Sequence, residues 1–140
     1  MNNIFEQLFQ YGLHDTAITS IEDENFLIKL NFDEGVYLLD ENGKEDVLSK
    51  PMQIVFKINS NLYESLEEAV EIVKYGRKTK YMEYSFIKKY LKKHKFGVFM
   101  VYYSNFENTV LFSGGFGREA IEFSIYGVEN ILVREHKSII

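Results

Sequence analysis

The sequence predicts an α+β protein, in which a largely antiparallel sheet of two β-meanders is joined by a short N-terminal helix and two central helices. Three observations support this prediction. The first sixty residues and the last third alternate apolar and polar side chains with a period of two, which is typical of half-buried strands. The middle of the chain repeats its apolar residues at helical spacing. Strands and helices do not alternate along the chain, so a parallel sheet is not expected.

The N-terminal elements follow from capping and turn signals. Residues 2–12 are predicted to form the short helix, with Asn3 as its cap and Gly12 at its end. Residues 16–39 then change to a period of two, interrupted by acid-rich turns. The pair Asn42-Gly43 indicates a tight turn between antiparallel strands, and the next strand is predicted over residues 52–58.

The two central helices are predicted over residues 59–76 and 84–97. The first has five apolar residues at helical spacing, namely Leu62, Leu66, Ala69, Val70 and Val73. The second places lysines along the side opposite its apolar stripe. Four strand-like runs complete the chain, at residues 96–104, 108–115, 119–127 and 128–135. We expect residues 1–140 to form a single domain.

The composition limits the classes of function. The chain has 10 Tyr and 12 Phe, a density typical of a strand-rich core. It has no cysteine, which excludes disulfides, a thiol nucleophile and thiolate metal sites. The N-terminal residues lack the pattern of a secretory signal, and no apolar run reaches the roughly 18 residues that would span a membrane. We therefore expect a soluble, cytoplasmic protein without a membrane partner.

Charge is distributed unevenly along the chain. Residues 1–72 contain 15 acidic side chains and four lysines, and residues 73–140 contain 12 basic and six acidic side chains. Much of the basic charge lies in residues 74–95, where lysines and one arginine are interleaved with four tyrosines. Such a pattern suits phosphates and stacked bases, but an amphipathic helix also places lysines on its solvated face. The second interpretation is favoured because the whole protein is acidic, and nucleic acid is not the expected partner.

His14-Asp15 is the first candidate for catalysis. Side chains of adjacent residues in an extended chain point to opposite faces, so the two are not expected to orient each other. An aspartate at a junction between helix and strand can instead accept backbone N–H groups in an Asx-type turn. We therefore interpret His14-Asp15 as a structural hinge, with a role in catalysis as the alternative.

Other motifs for chemistry are weak. The three histidines, at positions 14, 94 and 136, have no metal-ligand spacing, and the acidic turns lack the ligand pattern of a calcium loop. Gly114 and Gly115 are expected to supply the positive φ of a hairpin or bulge, because no helix N-terminus follows them to bind a phosphate. The sequence thus predicts no catalytic residue, no cofactor and no metal.

The segment from Gly12 to Leu39 resembles a group of small bacterial proteins in which a His-Asp-small-x-Ile motif opens a β-meander. The matching residues are His14, Asp15, Thr16 and Ile18, although Thr16 stands where alanine is frequent in the group. Residues Tyr126 to Val133 resemble the closing strand of the same group. Some of these proteins are thought to act as immunity proteins of polymorphic toxin systems, so the resemblance implies a binding protein without chemistry of its own.

The predicted function is a non-enzymatic protein-binding module that acts as an immunity protein and neutralises a basic toxin partner. The surface predicted to bind this partner consists of the acid pairs at the turns of the first meander and one tyrosine between them, namely Asp23, Glu24, Asp33, Glu34, Tyr37, Asp40 and Glu41. Two alternatives remain open. One is a small ligand-binding domain or enzyme with an aromatic pocket near His14 and Asp15, and the other is an RNA-associated protein that uses residues 74–95.

Overall fold

The computed structural model describes residues 3–136, apart from the side chains of residues 45 and 46. Its strands, in chain order, are β1 (Tyr11–Gly12), β2 (Thr16–Ile18), β3 (Ser20–Glu24), β4 (Leu27–Phe32), β5 (Tyr37–Leu39), β6 (Glu45–Leu48), β7 (Met52–Ile58), β8 (Val70–Tyr75), β9 (Lys80–Met82), β10 (Phe96–Ser104), β11 (Thr109–Phe116), β12 (Glu119–Ile125) and β13 (Val128–Glu135). The α-helix α1 spans Tyr84–Tyr90, and three short 3₁₀ segments span Ile4–Leu8, Leu66–Ala69 and Phe106–Asn108.

The α+β prediction is wrong, because the protein is nearly all β. Strands make up 52% of the chain and helices 14%, and α1 is the only helix of seven or more residues in the described part. The N-terminal helix is reduced to the 3₁₀ segment Ile4–Leu8, in which Asn3 accepts a hydrogen bond from the Phe5 N–H as expected of its cap. The predicted antiparallel pairing is confirmed for every strand pair in the described residues.

The prediction of the first central helix, over residues 59–76, is also wrong. Within residues 59–76 the structure has only the 3₁₀ segment Leu66–Ala69, followed directly by strand β8. The β-branched residues Val70, Ile72 and Val73 favour an extended backbone, and Ile72 becomes buried by pairing opposite Phe123 of β12. The second predicted helix is present as α1 but ends after seven residues.

Three antiparallel sheets form the fold. The six-stranded sheet has the order β2-β10-β11-β12-β8-β9, the four-stranded sheet has the order β13-β7-β4-β3, and the small sheet has the order β1-β5-β6. Thr19 connects β2 to β3, so one extended segment passes from the six-stranded to the four-stranded sheet. The two large sheets are therefore joined along one side.

The core lies between the inner faces of the two large sheets. Phe56 of β7 meets Phe112 of β11 with ring centroids 6.3 Å apart in an edge-on arrangement, and Phe112 stacks on Phe123 at 5.9 Å. All three rings are fully buried. Burying a side chain of this size stabilises a fold by about 1.5–3 kcal/mol, so this aromatic cluster contributes strongly to holding the two sheets together. Tyr84 and Ile87 of α1 are buried against the same core.

Gly114 and Gly115 have a role that differs from the predicted one. Neither has a positive φ, and the hairpin between β11 and β12 uses Gly117, with φ +60°. A Cβ at Gly114 would lie 1.8 Å from the carbonyl oxygen of Gly97 on the neighbouring strand β10. Gly114 is therefore needed for the close approach of β10 and β11.

Candidate protein-interaction surface

The structure separates the acid pairs that were predicted to bind a partner. Asp23 and Glu24 lie at one end of β4, in the hairpin from β3, and Asp33 and Glu34 follow its other end. The six residues of β4 place these two pairs about 20 Å apart. Asp40 and Glu41 lie in a third place, the hairpin between β5 and β6 of the small sheet.

Asp23 makes contacts within the protein. Its Oδ2 accepts a 3.0 Å hydrogen bond from the Tyr84 hydroxyl and lies 2.7 Å from Nζ of Lys88. Burial and then the nearby Asp23 carboxylate raise the pKa of Tyr84 far above its ordinary value. Asp23 thus attaches the edge strand β3 to α1.

The other predicted residues also have local partners. Glu24 lies 3.8 Å from Lys29, Glu34 forms an ion pair with Lys95, and Asp33 lies 3.7 Å from His136. Asp40 closes its own turn, since its Oδ1 accepts the backbone N–H groups of Asn42 and Lys44 at 2.8 and 2.9 Å. Tyr37 is half-buried in β5, and Glu41 is exposed. That these seven residues bind a basic partner stays a prediction.

His14 and Asp15 occupy a turn whose geometry differs from the expected extended chain. Asp15 has φ +61°, and this left-handed conformation brings its Oδ2 within 3.2 Å of His14 Nε2. The backbone N–H of Asp15 donates to the Val98 carbonyl at 2.9 Å, and His14 Nδ1 is hydrogen-bonded to the Phe99 carbonyl. The prediction that the two side chains face apart is therefore wrong. Within the described residues the Asp15 carboxylate lies beside His14 and accepts no backbone N–H group, so the expected Asx-type turn is not formed, and the structural role of the pair stays a prediction.

The groove beside Asp15 differs from an aromatic pocket. It encloses about 640 Å³ over a floor that includes Gly97, Gly115 and Ala120, and Phe99 is the one aromatic ring along it. In the part of the chain that the structure describes, no three histidine or carboxylate side chains converge on a point that could hold a metal ion. Among residues 3–136, no helix has both the length and the apolar composition to cross a membrane.

A broad aromatic surface lies on the side of the six-stranded sheet that points away from the core, and we call this side the outer face. Strand alternation creates it, because Phe112 and Phe123 point inward and their neighbours Leu111 and Glu122 point outward. A bulge in β10 between Val98 and Met100 adds Phe99 to the same side. The aromatic side chains of this face and their exposed fractions are Phe99 (63%), Tyr102 (55%), Tyr75 (41%) and Tyr81 (76%).

The charges of the outer face are acidic. The outward positions of β8, β10, β11 and β12 include two carboxylates, Glu71 and Glu122, and no basic side chain. Desolvation and then the neighbouring Glu122 carboxylate raise the pKa of Tyr75. The Tyr126 hydroxyl donates to Glu71 at 3.4 Å, and burial together with the Glu71 charge raises the pKa of Tyr126. Each carboxylate is thus accompanied by a tyrosine hydroxyl.

The sequence contains a signal for this surface that alternation alone does not reveal. In β10 large apolar or aromatic residues lie on both sides of the strand, with Phe96 and Val98 facing inward and Phe99 and Tyr102 facing outward. A strand with one solvated face has polar residues on that face. The apolar residues on both sides of β10 therefore form an exposed apolar surface, which makes the outer face a candidate interaction surface.

A buried polar cluster on the four-stranded sheet is structural. Gln53 and Asn31 are 3% and 1% exposed, and the Gln53 amide donates to Asn31 Oδ1 at 2.7 Å. Arg134 donates to Gln53 Oε1 at 2.7 Å, and Asn31 donates to Ser20 and Glu22 at 2.8 and 3.0 Å. Because its members bond to one another, this cluster has no buried group directed at a ligand.

Comparison of the chain with protein-family models, with curated proteins and with solved structures found no match. The resemblance to immunity proteins therefore rests on the motif around His14 and Asp15 and on the closing strand alone.

Proposed function

We propose that this chain is a non-enzymatic protein-binding module whose outer face binds a basic protein partner. The exposed aromatic side chains on this rigid sheet, Phe99 and Tyr102 above all, are the observation that carries the proposal. A few aromatic anchors usually supply most of the binding energy of an interface, and aromatic rings on a sheet lose little conformational entropy when a partner covers them.

The charge of the outer face supports a basic partner. Glu71 and Glu122 stand among tyrosine rings, so an arginine or lysine from the partner could pair with a carboxylate and pack on a ring at the same time. Lys95 and Arg118 lie near one end of the face, where Lys95 is already paired with Glu34. The resemblance of the His14 segment to immunity proteins supports a toxin as this partner.

The experiment begins with capture of a partner from the native host on the immobilised protein, followed by calorimetric titration of that purified partner. We expect the double variant Phe99→Ser/Tyr102→Ser to weaken the affinity by about 100-fold, because two anchors of about 1–2 kcal/mol each are removed. The matched control is Leu62→Ser/Leu132→Ser, which removes two exposed apolar side chains outside the outer face. Equal affinities for wild type and the Phe99/Tyr102 variant would contradict the proposal.

A further inference from the structure

A second groove lies between strand β9 and helix α1, away from the centre of the outer face. The groove has a volume of about 740 Å³. Its lining residues include Tyr81, Met82, Phe86, Lys88, Lys89 and Lys92. Tyr81 and Met82 are adjacent in β9 and point to opposite sides of the sheet. A groove that contacts both must run along the edge of the strand.

The edge of β9 offers unpaired backbone groups. β9 is the last strand of the six-stranded sheet and pairs only with β8, at Lys80, Tyr81 and Met82. In the described residues no further backbone hydrogen bond joins β9 to another segment. An open edge of this kind is a template onto which an extended peptide can add as a further strand.

The opposite wall of the groove is basic. Lys88 and Lys89 lie on α1, and Lys92 follows one turn later. Lys88 is engaged by Asp23 at 2.7 Å. Lys89 and Lys92 are exposed and form no ion pair with any side chain of the described residues. Glu83 is the one acidic residue along the groove, so its net charge is positive.

The floor of the groove is apolar. Met82 and Phe86 are half-buried and pack against the core, and Phe86 lies 4.6 Å from Tyr90, centroid to centroid. An added strand directs alternate side chains to opposite sides of the sheet, so one set would lie on the side of Met82 and α1, near Lys89 and Lys92, while the other set would lie on the side of Tyr81. The occupant that fits is therefore an extended segment in which apolar and acidic residues alternate.

We propose that the groove between β9 and α1 binds an extended acidic segment of a protein, which adds to the edge of β9 and pairs its carboxylates with Lys89 and Lys92. This site shares Tyr81 with the margin of the outer face, but it uses the backbone edge of β9 and the lysines of α1, so it goes beyond the function proposed above. A peptide fits better than a nucleic acid, because a strand edge matches peptide N–H and C=O groups. Two unpaired lysines are also few for a phosphate backbone, whose binding depends on many such contacts.

The test uses the full-length protein and four fluorescent probes, whose anisotropy is measured at low salt. The probes are an eight-residue peptide of alternating Val and Glu, its counterpart of alternating Val and Lys, the Val/Glu peptide with alternate backbone amides N-methylated, and single-stranded U12 RNA. The variant is Lys89→Glu/Lys92→Glu. The control Lys44→Glu/Lys50→Glu has the same change in net charge at exposed lysines outside the groove.

We expect the Val/Glu peptide to bind the wild type and the control equally, and to bind Lys89→Glu/Lys92→Glu about tenfold more weakly because two charge contacts are reversed. N-methylation should weaken binding by a similar factor, since it removes the N–H groups that pair with β9. The proposal would be overturned if the Val/Glu peptide did not bind the wild type. It would also be overturned if this peptide bound the variant as tightly as the wild type, or if the N-methylated peptide bound the wild type as tightly as the unmodified peptide. Tighter binding of U12 would assign the groove to nucleic acid. A wild-type dimer that Lys89→Glu/Lys92→Glu dissociates in sedimentation would assign it to a second copy of the chain, and either result would also overturn the proposal.

Discussion

The side chains of Gln53 and Asn31 are joined across strands β7 and β4 by a 2.7 Å hydrogen bond, although both are almost fully buried. The bond is one step of a ladder that crosses the four-stranded sheet from Arg134 to Glu22. A buried amide without a partner is costly, and within this ladder each amide has one. The ladder therefore favours one register of β13, β7, β4 and β3, because a shift by one residue would leave these polar groups without hydrogen-bond partners.

Gln53→Leu tests the stabilising role of this ladder. We expect the variant to lower the free energy of unfolding by about 1–3 kcal/mol, because Asn31 and Arg134 lose their partner while Asn31 stays buried. Urea denaturation followed by circular dichroism measures the change. Gln7→Leu, at an exposed position, is the control and should change the free energy by less than about 0.5 kcal/mol. Equal stability of Gln53→Leu and the wild type would show that the ladder does not stabilise the fold.

Tyr84 predicts a loss of stability at alkaline pH. Its pKa is raised by burial and by Asp23, so the folded protein keeps the phenolic proton to higher pH than the unfolded chain. This contribution is fully present below the ordinary tyrosine pKa of about 10 and is lost above it, at up to about 1.4 kcal/mol per pH unit. Above pH 10 we expect the free energy of unfolding to fall less steeply with pH in Tyr84→Phe than in the wild type. The two slopes should differ by up to about 1.4 kcal/mol per pH unit.

The exposed Tyr102→Phe is the control for this measurement and should keep the wild-type slope. Denaturation is recorded at several pH values for the three proteins. A second tyrosine, the partly buried Tyr103, also has a pKa raised by burial, so some dependence of stability on alkaline pH should remain in Tyr84→Phe. If the free energy of unfolding fell with pH equally steeply in Tyr84→Phe and the wild type, the claim that folding keeps the Tyr84 hydroxyl protonated would be contradicted.

Gly114→Ala should be strongly destabilising. The new methyl group would lie 1.8 Å from the Gly97 carbonyl oxygen and 3.2 Å from the Phe96 ring, so β10 and β11 would have to move apart. We expect a loss of more than about 2 kcal/mol, comparable to overpacking in a core. Gly76→Ala is the matched control, because its Cβ would meet no atom within 4 Å and its φ is not positive. Thermal unfolding of both variants measures the difference, and a Gly114→Ala protein as stable as Gly76→Ala would refute the close-approach role.

The strands of the C-terminal third could be predicted from sequence because their local pattern and their tertiary environment agree. β10 to β13 alternate inward and outward residues and are separated by turns, as their sequences indicate. Residues 66–73 are different, since Leu66, Ala69, Val70 and Val73 fit helical spacing while Val70 and Ile72 also fit a period of two. The segment becomes a strand because β8 pairs with both β12 and β9. β12 is distant in the sequence, so the residues of the segment alone do not reveal this pairing.

The outer face was missed for a related physical reason. Period-two patterns identify two faces of a strand but do not say whether the second face is covered, and the outer residues of five strands must be added before a surface emerges. The acid pairs show the opposite problem, because residues that are similar in sequence are placed far apart. Asp23 and Asp33 are at opposite ends of β4, and Asp23 is held by Tyr84 and Lys88.

The final prediction compares the outer face with the acidic turns as the surface that meets a basic partner. Glu71→Gln/Glu122→Gln should slow association with the captured partner several-fold at low salt, and the difference should shrink as salt screens the charges. Asp33→Asn/Glu34→Gln removes the same amount of charge from a turn where Glu34 is already paired with Lys95. We therefore expect this second variant, and equivalent variants of the other two acid pairs, to associate at close to the wild-type rate. Stopped-flow measurements at two salt concentrations provide the comparison. A larger effect of any acid pair than of Glu71 and Glu122 would move the binding surface from the outer face to the turns.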